Sequence, residues 1–292
     1  MKSVRKEKIL GKLKKSVSLH PMKKTSYLLF LIVIFSILTS CSNTEKLLKS
    51  TDYEAKYNAA LKYYNEERYS PARQLFENLM LYYRGNEHAE DIAWYYAQSL
   101  LKSTYYYTAA YQFKTFSKRY PYSNRAEDAV FLSAYCKYMD SPSYTHDQTT
   151  TKEAITELEQ FADRYPQSTH IPEVNAYLDE LRNKLMQKDY EIAYGYYNTE
   201  SYRAAVVALT NFISEYPESP HREEAMYYII KAGYQYAINS REDKMKERLQ
   251  QVINNFDKFA TTFKNSKHMS DCQTIYNNSK AMLLKLDTPK SN

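Results

Sequence analysis

The chain repeats itself, and that constrains its fold more than anything else in it. Three segments align without gaps: KRYPYSNRAEDAVF from Lys118, DRYPQSTHIPEVNA from Asp163 and SEYPESPHREEAMY from Ser214. A weaker copy, LYYRGNEHAEDIAW, starts at Leu81, and the faintest, TTFKNSKHMSDCQT, at Thr261. Their aromatic anchors, Tyr83, Tyr120, Tyr165, Tyr216 and Phe263, are spaced by 37, 45, 51 and 47 residues. Self-similarity at such periods marks stacked supersecondary units, none of which can bury its apolar face alone. Each copy reads as a helix ending at the aromatic, a tight turn, and a Ser or Asn capping the next helix. Proline ends the first helix because it lacks an N–H and constrains the residue before it. Ser123, Ser168, Ser219 and Ser266 are placed to accept from the open N–H groups of the following turn.

Between the junctions, small and large residues follow the tetratricopeptide pattern, a helix pair of about 34 residues. In the first unit Ala60, Tyr63, Tyr69, Ala72 and Phe76 hold the pattern positions, with Arg84 where Pro is usual. In the second they are Ala97, Leu100, Tyr106, Ala109 and Phe113, and in the fourth Ala193, Tyr196, Tyr202, Ala205 and Leu209. Alanines let the two helices of a pair approach closely, and rings fill the adjacent holes. The third unit carries Ala154, Leu158 and Phe161, with extra length in its turn between Ser141 and Thr150. The first helix of unit four is expected to be long, from about Thr169 to Tyr197. The prediction is an all-α chain: an α-solenoid of about five tetratricopeptide-type repeats over residues 53–286. A helix from Asn265 to Leu286 caps it, because a final repeat cannot cover its own flank. Residues 287–292 are a tail.

Composition supports this and removes other classes. Only four glycines occur, so no glycine-rich phosphate cradle can be written, and helices with short connections are favoured over a turn-rich β fold. The formal charge of +6 is misplaced evidence for nucleic-acid binding. Residues 1–40 hold nine Lys/Arg and one acid, a net of +8, and without them the chain carries −2. Nucleic acid is therefore not an expected partner.

Those basic residues lead into an address signal. From Met22 the chain reads MKKTSYLLFLIVIFSILTSC, with two lysines before an uncharged stretch from Tyr27 to Leu38. Twelve residues are too few to span a bilayer, which takes about 20, and suit the apolar core of a signal peptide. The stretch ends in Leu38-Thr39-Ser40-Cys41, which resembles the lipobox of bacterial lipoproteins. That resemblance implies removal of residues 1–40 and a diacylglycerol on Cys41, followed by a linker over 41–52; an uncleaved signal anchor with an incidental Cys is the other reading. Several acyl chains anchor durably where one is marginal. Cys136 and Cys272 fall on helices of different repeats and are expected to be buried free thiols.

Signal, lipobox and five repeat units in about 250 residues resemble the BamD family, the lipoproteins of the outer-membrane β-barrel assembly machinery. The resemblance runs from Cys41 to about Leu286. It implies a periplasm-facing scaffold on the outer membrane, consistent with Ser42 after the cysteine. Its partners would be nascent outer-membrane proteins and the core protein of barrel assembly. An envelope tether or pilotin-like lipoprotein serving secretion, division or cell-wall attachment is the alternative reading.

The first helix of each unit lines the concave wall of such a solenoid. Pattern positions 5, 9 and 12 place Tyr57, Leu61 and Tyr64, then Trp94, Gln98 and Leu101, then Phe131, Tyr135 and Tyr138, and in the fourth unit Tyr190, Tyr194 and Tyr197 on that wall. Of these Tyr57, Tyr64, Trp94, Gln98, Phe131, Tyr135 and Tyr138 are the candidate peptide- or protein-binding residues, because aromatics dominate interface hot spots. The competing reading is that these rings only pack helix on helix. His88, His170, His221 and His268 recur two residues after the capping Asn or Ser, which is repeat register and not a zinc site, since ligands must converge. No nucleophile elbow, HExxH or CxxC occurs, so no catalytic residue, metal or cofactor is expected.

Overall fold

The computed structural model describes residues 43–83, 85 and 87–288. Among them it is all-α, with twelve helices and no strand. We number these α1 (43–49), α2 (Tyr53–Asn65), α3 (Tyr69–Leu79), α4 (Ala89–Lys102), α5 (Tyr106–Arg119) and α6 (Ala126–Asp140). Then follow α7 (Thr149–Arg164), α8 (Ile171–Asn198), α9 (Tyr202–Glu215), α10 (Arg222–Ile238), α11 (Glu242–Thr262) and α12 (Met269–Asp287). These are the helix pairs of tetratricopeptide-type repeats, with α12 in the place of the expected cap. The chain divides into two compact units, Met1–Tyr105 and Tyr106–Asn292. The division falls between the two helices of the second repeat.

Within a repeat the helices are joined by a tight turn that would ordinarily use glycine. Here Glu67, Thr104 and Glu200 take the left-handed conformation, at φ of 57°, 62° and 57°. The next N–H closes each turn onto the helix before it: Arg68 to Tyr63 O at 2.8 Å, Tyr105 to Leu100 O at 3.0 Å and Ser201 to Tyr196 O at 2.9 Å. This is the Schellman arrangement, and a non-glycine residue in it costs about 1–2 kcal/mol. A glycine-poor chain therefore makes its turns at some expense and recovers it in packing.

Between repeats the expected junction is present in four matching copies. Tyr120, Tyr165, Tyr216 and Phe263 end their helices with the ring against Phe116, Phe161, Phe212 and Phe259, at 5.1, 5.3, 5.4 and 5.5 Å. The four serines differ from expectation in one respect. Their hydroxyls accept from the N–H two residues on, at Arg125, His170, His221 and His268, and not from within the helix. Each serine lies three residues ahead of its helix, so its side chain closes the turn, while its carbonyl accepts from the first helical N–H. Glu127, Asp128, Glu223 and Glu224 occupy first turns, where the helix dipole favours them.

The pattern alanines Ala60, Ala72, Ala97, Ala109, Ala154 and Ala205 are fully buried, as are Phe76, Phe113, Leu158 and Phe161. Tyr196 is the exception. Placed by the pattern in the packing, it is instead exposed in an open cleft of about 740 Å³ with Tyr202, Val207 and Tyr236. The helix bearing it, α8, is 28 residues long and starts with Pro172 in its first turn, where a missing N–H costs nothing. Its first half packs Val174, Leu178 and Leu181 against α6 and α7, and its second half packs Tyr190 and Ala193 against α9 and α10. The extra length of the third repeat is the loop 141–148, tied to α8 by Lys184 Nζ on Ser141 Oγ at 2.8 Å and Lys188 Nζ on His146 O at 2.6 Å. Cys136 and Cys272 are free and buried, and burial pushes both thiols up to about 12.

Candidate peptide-binding faces

In the first unit the candidate residues lie on α2 and α4. Tyr57 is buried, its ring stacked on His88 at 4.5 Å and its hydroxyl donating to Asp91 Oδ2 at 3.4 Å. Burial first, then the Asp91 charge, push this phenol up to about 12. Two turns on, Tyr64 is half-buried and meets Tyr69 and Tyr95 edge-on at 5.5 and 5.0 Å. Trp94 and Gln98, on α4, are also half-buried and keep part of their surface open.

In the second unit the same gradient is drawn on α6. Phe131 is 6% exposed and belongs to the core formed with Leu158, Phe161 and Leu178. His170 lies flat on it, with ring centroids 3.9 Å apart and planes 8° from parallel. Phe131 is thus the floor of the face and not its surface. Tyr135 and Tyr138 are half-buried and pack on Tyr177 of α8 at 5.6 and 4.3 Å. The Tyr138 hydroxyl donates to Glu180 at 2.6 Å, and burial with that bond pushes it up to about 12.

The next repeats continue the face with residues that the candidate set omits. Tyr194 and Tyr197 of α8 pack on Tyr228 of α10 at 4.6 and 4.8 Å. Beside them Lys231 Nζ donates to the Tyr227 hydroxyl at 2.9 Å, and Tyr227 donates to Asp271 at 2.7 Å. The Tyr227 hydrogen bond outweighs burial, which acts the other way, and holds the Lys231 ammonium above its usual range. Carrying pattern positions 9 and 12 into the fourth unit reaches Tyr194 and Tyr197. Tyr177 and Tyr228 have no such signal, because each comes from the neighbouring helix.

The recurring histidines have a physical role. Tyr57–His88, Phe131–His170, Tyr190–His221 and Tyr227–His268 are stacked pairs at 4.5, 3.9, 4.3 and 4.0 Å. Each histidine immediately precedes the next repeat's helix and covers the first ring of the preceding one. Among the described residues no three His, Cys, Asp or Glu side chains could hold a metal ion together. What the faces offer is aromatic area, with the Tyr138 hydroxyl already held by Glu180. That chemistry suits contact with another chain.

No helix among the described residues is long and apolar enough to cross a membrane. The signal-like segment and Cys41 lie outside the described residues. Comparison with known proteins matches residues 49–194 and 187–287 to the YfiO family, described as outer membrane lipoprotein. The chain is similar to the outer membrane protein assembly factor BamD of Rickettsia prowazekii, 23% identical over 227 residues, covering 76% of this chain and 89% of that protein. It is similar to the BamD of Xylella fastidiosa, 22% identical over 237 residues, with 75% and 79% covered. The Caulobacter vibrioides BamD matches at 23% over 189 residues, with 63% and 56% covered. With its helical repeats matched almost from end to end, the chain belongs to the YfiO family of outer membrane lipoproteins.

Proposed function

We propose that this protein is an assembly factor for outer-membrane β-barrels, a periplasm-facing scaffold tethered by acyl chains on Cys41. It holds unfolded barrel substrates on the half-open tyrosine faces of its first helices and docks on the core protein of barrel assembly. The observation that carries the reading is the family match across 49–287, with relatives that are named assembly factors. The faces supply a means. Tyr64, Trp94, Tyr135 and Tyr138 present rings with few rotatable bonds, which lose little entropy on binding an extended peptide. Burial pushes the Tyr138 phenol on these faces, and Tyr57 beneath them, up to about 12, which suits adhesion better than acid–base chemistry.

The test is purification from membranes in a gentle detergent with identification of the proteins retained. A barrel-forming outer-membrane protein with periplasmic domains is the expected companion. Recovery of cell-wall or secretion components in its place would overturn the assembly reading. Cys41→Ala tests the anchor separately: the precursor should stay uncleaved at that site and take no fatty-acid label.

A further inference from the structure

The segment just after Cys41 is docked, where a linker is expected over 41–52. Residues 43–49 form α1, and Thr44 within it is buried. The fastening is Lys56 of α2, a lysine only 2% exposed. Its Nζ donates to Leu48 O at 3.1 Å and to Asn78 Oδ1 at 2.8 Å. The same nitrogen lies 5.2 Å from the Tyr53 ring and 5.9 Å from the Tyr82 ring, which are themselves 4.0 Å apart. Leu48 is in the last turn of α1, where carbonyls lack a helical partner and attract cations. A buried lysine is costly unless such acceptors are fixed in place. α1 is therefore part of the first repeat, held at a defined spot on it.

Next to that spot two apolar side chains are uncovered, beside the exposed Glu45, Lys46 and Lys49 of α1. Leu81 is 67% exposed and Tyr82 54%. Two residues before Asn43 stands Cys41, and two residues span at most about 7 Å. Any acyl chain on Cys41 therefore enters the bilayer within a short step of α1. We propose that α1, Leu81 and Tyr82 form a membrane-resting patch that seats the first repeat on the phospholipid surface, with Lys56 as the positioning residue. The proposal rests on acylation of Cys41. Leucine suits the acyl boundary and tyrosine the headgroup level, where its ring is apolar and its hydroxyl wet. The lipid anchor then holds this repeat in a fixed pose, where a free leash would let it swing.

The test uses the full-length lipoprotein reconstituted into phosphatidylethanolamine/phosphatidylglycerol vesicles. An environment-sensitive dye is attached at Leu81→Cys; Cys136 and Cys272 are buried and stay unlabelled. The control dye goes at Asn65→Cys, exposed at the far end of the α2–α3 pair, about 18 Å along the helix. The expected result is a blue-shifted Leu81 dye, quenched severalfold more by lipid-borne spin labels than the Asn65 dye. Lys56→Met should return the Leu81 dye to water while the protein still floats with the vesicles and keeps its helical circular dichroism. If that variant fails to fold, the two dyes on the parent protein decide the matter alone. A vesicle-bound protein whose Leu81 dye remains in water overturns the patch and leaves the anchor standing. A blue shift without quenching by lipid, accompanied by self-association, assigns the surface to a second copy and overturns it as well. A protein carrying no fatty acid and failing to float overturns anchor and patch together.

Discussion

The earlier and later rings on the first helices of the first, third, fourth and fifth repeats are the same kind of residue and meet different fates. The earlier rings, Tyr57, Phe131, Tyr190 and Tyr227, are buried, at 7, 6, 5 and 8% exposure, Tyr190 lying in the second half of the long α8. Toward the C-terminal end Tyr64, Tyr138 and Tyr197 are only half-buried. Hydrophobicity does not separate the groups, since tyrosine supplies most of both. The difference is made by the following turn, whose histidine stacks on the first ring and cannot reach the later ones. Burial along these helices is thus imposed by the neighbouring repeat, and the open faces are what that cover leaves.

The largest expected effect tests the covered end. Phe131→Ala removes a ring from the core shared with Phe161 and Leu178, and should cost about 3–5 kcal/mol in chemical denaturation. A loss below about 1 kcal/mol would mean that the ring is not core and that the division between the ends is mistaken.

Among the half-buried rings, Tyr138→Ala and Trp94→Ala should leave the melt nearly unchanged. Binding of a peptide from the C-terminus of a barrel protein should fall by about 2 kcal/mol, roughly thirtyfold. Calorimetric titration checks the affinity, with Phe76→Ala as the variant that destabilises without touching the face. Should Trp94→Ala melt as low as Phe76→Ala, Trp94 belongs with the covered rings.

A smaller effect tests the cover itself. His170→Ala uncovers Phe131 and also removes the 3.1 Å contact of His170 Nε2 with Asp128. Aromatic pairs are worth about 0.5–1.5 kcal/mol beyond burial, so a loss of about 1 kcal/mol is expected. His146→Ala, in the 141–148 loop and away from any stacked ring, should change little.

The helix pairs, the four Tyr/Phe-x-x-Ser junctions, the long α8 and the cap were legible in the sequence. A turn signal and a helical period are local, and repetition multiplies each of them. The extra turn length at 141–148 was legible for the same reason. Three things were not. His170 and its equivalents looked like register alone, because a stack onto the preceding repeat spans 31 to 41 residues of chain. Docking of α1 depends on Lys56 reaching Leu48 and Asn78, and a lysine in a sequence is read as solvated. The assignment of Phe131 and Tyr57 to an accessible wall followed from helical phase, which gives the direction of a side chain but not what covers it.

The smallest effect vanishes at neutral pH and appears only in base. Burial, then the Asp91 charge, push Tyr57 up to about 12; burial, then Glu77, do the same for Tyr96. In the unfolded chain a tyrosine ionises near 10. Below that pH both states keep the proton and these rings contribute nothing that depends on pH. Between about 10 and 12 the unfolded chain loses protons that the folded protein retains, so stability falls as pH rises. Tyrosinate absorbance and urea midpoints, followed together through this window, should show the decline beginning before the buried rings ionise. The comparison sharpens within α2. Tyr57→Phe deletes a buried phenol and should flatten the alkaline slope, whereas Tyr64→Phe, at the half-open end of the same helix, should flatten it less. Equal flattening would mean that the two ends share one environment, and the covering histidine would then be a spectator.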